Sequence, residues 1–109
     1  MIKEYQIKGL EKLLNNSGVL KEIYPMLDHI EIPYDNGTSG PKDFDRLNID
    51  IFINDPNITS ENMYNKEFDP HYLVGHHIRK YMQYFNIDNV VLDFIVWGPD
   101  GEIVTSHEH

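Results

Sequence analysis

Apolar residues recur along this chain with two different periods, and each change of period marks a boundary. Ile7, Leu10 and Leu14 stand at helical spacing with Lys and Glu between them, and the pattern stops at Asn15-Asn16-Ser17-Gly18, where Gly18 is expected to cap the helix. Val19 to Leu27 predict a second short helical stretch, interrupted because Pro25 has no N–H and disfavours a helical Tyr24. Residues 1–28 are therefore expected to form a broken N-terminal helix.

The period then falls to two. His29 to Tyr34 alternate polar and apolar, and Pro33 is tolerated only at an edge or a strand end, so this segment reads as an edge strand. Turn-forming residues crowd 35–46, which predicts a surface loop. Leu47, Ile49, Ile51 and Ile53 follow at a strict period of two, the clearest strand pattern in the chain.

Residues 55–68 read as a second surface loop, and Asp69-Pro70 supplies an N-cap and first helical position. Val74, Ile78, Tyr81, Met82 and Phe85 then share one stripe, with Arg79, Lys80 and Gln83 opposite, as an amphipathic helix requires. Val90 to Trp97 form a nearly continuous apolar run, the signature of a central strand covered on both faces. Gly98-Pro99-Asp100-Gly101 is a turn signal, and Glu102 to Thr105 are expected to return antiparallel before a tail at 106–109.

The resulting order is α-β-β-α-β-β. It predicts an α+β fold, a two-layer sandwich in which a mostly antiparallel sheet of about four strands carries two main helices on one face. With 109 residues there is room for a single domain and one core.

Charge narrows the partners. Eighteen acidic residues against nine basic ones give a net charge of −9, which repels nucleic acid and anionic membrane surfaces. No stretch reaches the roughly 20 apolar residues of a spanning helix. Met1 to Tyr5 lack the apolar run of a signal peptide, so a cytoplasmic location is expected. The absence of cysteine excludes disulfides, thiolate catalysis and cysteine-held metals.

Candidate chemistry is sparse. The phosphate-binding glycine loops, the Gly-x-Ser-x-Gly elbow and His-Glu-x-x-His are all missing. His71, His76 and His77 are spaced one, five and six apart, which does not converge on one helix face; His76 is expected in solvent, with His71 and His77 bordering the apolar stripe. His107-Glu108-His109 reads as a tail. Asp50 and Asp93 interrupt predicted strands, and if those strands are neighbours the pair has the chemistry of a Mg²⁺ site; the plainer reading is a wet sheet face. The side chains that would enter a metal site are thus Asp50, Asp93, His71 and His77, and no cofactor is expected.

Aromatic residues gather around the second main helix and the last hairpin, amid acidic ones. Tyr and Trp anchor protein interfaces, and neighbouring carboxylates select a basic partner. The candidate interface comprises Asp43, Asp45, Asp55, Glu61, Tyr64, Glu67, Asp69, Tyr72, Tyr84 and Trp97. The function expected is that of a non-enzymatic protein-binding domain docking a basic protein, such as a small bacterial or phage inhibitor, immunity-type factor or accessory regulator. One alternative is a self-assembling structural subunit, a homo-oligomer that pairs the strand at Ile30–Ile32 or the C-terminal hairpin with a neighbour. The other is a metal-dependent hydrolase using Asp50 and Asp93.

Overall fold

The computed structural model describes residues 3–33, 45–59, 74–88 and 90–108. Helix α1 (Glu4–Asn16) buries Ile7, Leu10 and Leu14, as its period demands. At its start Lys3 N–H donates to Gln6 Oε1 at 2.8 Å, while Gln6 Nε2 donates to the Phe85 carbonyl at 2.7 Å, so one side chain both caps the helix and ties it to a distant turn. The break falls one residue earlier than the glycine suggests. Ser17 is extended, with φ −81 and ψ 115, and Gly18 opens the second helix, α2 (Gly18–Ile23), instead of capping the first. One extended residue redirects the chain without a left-handed cap. The helix ends before Pro25 as expected, with Tyr24 N–H donating to the Leu20 carbonyl.

Strand β1 (Leu27–Glu31) starts and ends earlier than the alternation from His29 to Tyr34 implies. Strand β2 (Asp45–Ile53), helix α3 (Gly75–Met82), a 3-10 turn at Gln83–Phe85, strand β3 (Val90–Trp97) and strand β4 (Ile103–Glu108) complete the fold. Asn86, at φ 56, stops the helical segment, and Gly101, at φ 84, turns the β3–β4 hairpin. The expected opening of the helix at Asp69-Pro70 lies outside the described residues. Among those described, no helix is long and apolar enough to cross a membrane.

The fold is α+β with four strands, as anticipated, but its sheet is mixed and curled because one of the three pairings is parallel. Strand order is β1-β2-β3-β4. The two outer pairings are antiparallel, whereas β2 and β3 run parallel from Asp45 opposite Val90 to Phe52 opposite Trp97. A parallel pair needs a long crossover connection, and residues 54–89 with α3 supply one. Hydrophobic period identifies a strand but carries no information about its direction.

One face of the sheet is core. Leu47, Ile49, Ile51 and Ile53 of β2 and Val90, Leu92, Phe94 and Val96 of β3 pack with Ile7, Leu10 and Leu14, Leu20 and Tyr24, and Val74, Ile78 and Met82 of the three helices. The alternate residues of β3 are half-buried, so among the described residues the second face is less fully covered than its apolar run suggested. Among the described residues that second face is the more open one, and is the open face of the sheet.

The edge strand is protected. Asn15 of α1 receives the Ile30 N–H at 2.7 Å and donates to the Ile30 carbonyl at 2.8 Å, and Glu11 Oε2 receives the Ile32 N–H at 2.7 Å. A helix side chain thus takes the backbone groups that a neighbouring strand would otherwise use.

Candidate functional site

Geometry on the open face begins with a bulge. Leu27 pairs with Ile53 and His29 with Phe52, so the register shifts at Asp28. Strict alternation would place Leu27 and His29 on the same face. The extra residue lets Leu27 and Ile30 both enter the core while His29 and Glu31 share the open face with Phe52 and Asp50.

Three rings then form a ladder across three strands. His29 stacks on Phe52 with centroids 4.4 Å apart and planes within 5°, and Phe52 faces Trp97 at 6.1 Å and 12°. Carboxylates flank the first ring: His29 Nδ1 lies 2.6 Å from Asp28 Oδ2, and Nε2 lies 3.9 Å from Glu31 Oε2. Trp97 Nε1 is buried without a hydrogen-bond partner among the described residues.

Acidic positions continue along the same face. Glu31 pairs directly with Asp50, which sits diagonally from Asp93 because Asn48 is the register partner of Asp93; Asp93 in turn pairs with Glu108 at the backbone level. Basic side chains are placed elsewhere. Of the Lys and Arg side chains described, Lys3, Lys8, Lys12 and Lys21 belong to the N-terminal helices and Arg79 and Lys80 to α3. Arg46 stands six residues, about 20 Å, along β2 from Phe52.

Two clefts flank the Gly98–Pro99 turn at the carboxyl end of the parallel pair, the end at which α/β sheets place their ligands. One, of about 270 Å³, is lined by Asp28, His29, Phe52, Ile53 and Asn54 together with Gly98 and Pro99. The other, of similar volume, lies between Pro56, Ile58 and Thr59 and the hairpin residues Ile103 and Val104. The hairpin keeps its shape through Gly98 N–H donating to the Glu102 carbonyl at 2.8 Å, and Glu102 N–H to Asp100 Oδ1 at 3.2 Å.

The sequence-derived candidates scatter. Trp97 belongs to the ladder. Tyr84 is 74% exposed but lies with the helices, stacked at 6.2 Å on Tyr81, whose hydroxyl meets Ser17. Asp55 lies past the end of β2 and receives the Asn57 N–H in a local turn. Asp45 opens β2 opposite Val90. Asp43, Glu61, Tyr64, Glu67, Asp69, Tyr72 and His71 lie outside the described residues.

Asp50 and Asp93 share the open face of adjacent strands, though as diagonal neighbours and not as a directly opposed pair. His76 is exposed and His77 half-buried, their rings edge to face at 5.9 Å. Among the described residues no group of three or more His, Asp or Glu side chains is placed to hold a metal ion.

Sequence reasoning passed over His29, Phe52, Asp28 and Glu31. A signal existed for Phe52, the one aromatic residue at an outward position within the strict period of β2. For His29 there was none, since the bulge that turns it outward is a property of the β1–β2 pairing. No protein-family model matches the chain, and no curated protein or solved structure matches it either.

Proposed function

We propose that this protein is a non-catalytic binding domain that docks a basic protein through the open face of its sheet, in an inhibitory or regulatory role. The segregation of charge supports this reading: Asp28, Glu31 and Asp50 lie beside the ring ladder and Asp93 further along the same face, while nearly all described basic side chains sit with the helices. Carboxylates on that face attract cations, and the net charge of −9 steers a basic partner inward from a distance. The test is a titration of the ¹⁵N-labelled chain with decalysine and with decaglutamate. Decalysine is expected to move the amides of β2 and β3, with affinity falling steeply as salt rises, and decaglutamate to move none. Perturbations confined to the helices, or equal for both peptides, would overturn the reading.

Self-assembly has one observation in its favour. Strand β4 forms the other edge of the sheet, and Ile103 at its start is 57% exposed. Pairing through β1 would first have to displace Asn15 and Glu11. A monomeric mass by sedimentation at high concentration removes the assembly reading.

A further inference from the structure

Resting on the basic-partner reading, the geometry of the cleft beside Asp28 points to a more specific occupant. We infer that this cleft seats one arginine side chain of the partner, its guanidinium on the Asp28 carboxylate and its methylenes against Phe52 and Pro99. The cleft is a groove of about 270 Å³, open on one side and with room for one long side chain.

The walls have the matching chemistry. Phe52 and Pro99 offer apolar surface for a methylene stem, and among the described residues no Lys or Arg lines the cleft. The Asp28 carboxylate has about four acceptor sites, of which His29 Nδ1 occupies one. A guanidinium is planar, weakly hydrated and able to bond a carboxylate through two parallel N–H groups, which an ammonium cannot do. The cleft is also continuous with the ring ladder through Phe52, so an arginine seated there adds to the surface that the open face presents.

Trp97 is the only tryptophan in the chain and stands 6.1 Å from Phe52, so its emission reports on this site. The full-length protein is titrated at fixed ionic strength with the amides of N-acetyl-arginine, N-acetyl-lysine and N-acetyl-citrulline, following Trp97 emission and the amide signals of Asn54 and Gly98. A saturable response is expected for arginine, a weaker one for lysine and none for the neutral citrulline. Asp28→Asn is expected to weaken arginine binding roughly tenfold, the scale of one charge-assisted hydrogen bond, with an unchanged melting temperature as the check on folding. An equal response to citrulline, an unsaturable response to arginine, or Asp28→Asn binding like wild type would overturn the inference. If decalysine moves β2 and β3 while arginine leaves Asn54 and Gly98 unmoved, the arginine seat falls and the basic-partner reading stands. If arginine saturates its site but decalysine does not bind, the seat stands and the docking face falls.

Discussion

The imidazole of His29 lies flat on the ring of Phe52, with centroids 4.4 Å apart and planes within 5°, on the open face of a sheet whose other face is packed with aliphatic side chains. This contact depends on the bulge at Asp28, which admits one extra residue into β1 and so reverses the facing of everything before it. The same bulge sends Leu27 into the core. A single irregularity in the edge strand thus serves both packing and the candidate site.

Removing the middle ring should uncouple the ladder. Phe52→Ala is expected to lower stability by about 1–3 kcal/mol, from lost cross-strand and ring contacts at a half-buried position. The emission maximum of Trp97 should shift red as its neighbour is lost. Urea unfolding followed by both circular dichroism and fluorescence checks the two effects together, and an unchanged emission maximum would show that Trp97 does not sense Phe52.

Asn15 secures the outer edge of β1. Asn15→Ala leaves the Ile30 N–H and carbonyl without their partner, at an expected cost of about 1–3 kcal/mol. It also opens a free strand edge, so self-association should increase with concentration. Chemical denaturation reads the first consequence and analytical ultracentrifugation the second; wild-type values in both would remove the protective role of Asn15.

Two helical glycines should answer alanine in opposite ways. A methyl group on Gly9 would run into the Phe85 ring, whereas one on Gly18 meets nothing within 4 Å. Alanine favours helix by about 0.5–1 kcal/mol, so Gly18→Ala should be neutral or stabilising by that amount. Gly9→Ala should instead destabilise by about 1–3 kcal/mol through overpacking. Paired thermal melts decide the matter, and equal shifts would place no close contact at Gly9.

Stability and binding should trade against each other at Asp50. Its carboxylate stands opposite Glu31, and like charges at directly paired positions are unfavourable. Asp50→Lys should replace that repulsion with attraction and stabilise the sheet by about 0.2–1 kcal/mol. The same change subtracts two charges' worth of acidity from the open face, so affinity for decalysine should fall. Melting temperature and the decalysine titration together test this, and unchanged affinity would count against the open face as the docking surface.

Much of the local structure was legible in the chain itself. The strict period of Leu47, Ile49, Ile51 and Ile53 identified β2 and its buried face, and Val74, Ile78 and Met82 marked the buried stripe of α3. Gly98 to Gly101 announced the hairpin, and Pro25 the end of the helical segment. These features are set by side-chain period, proline and glycine within a few residues, which is why a single sequence suffices to find them.

What the tertiary structure alone decided is how those pieces meet. The parallel pairing of β2 with β3, the bulge that brings His29 to Phe52, and the reach of Asn15 to Ile30 all join residues far apart in the chain. Each depends on which backbone hydrogen bonds form between segments and in what register, and hydrophobic period is blind to both. The ring ladder and its flanking carboxylates therefore became visible only once the strands were paired, because the sequence carries the side chains while the register determines their neighbours.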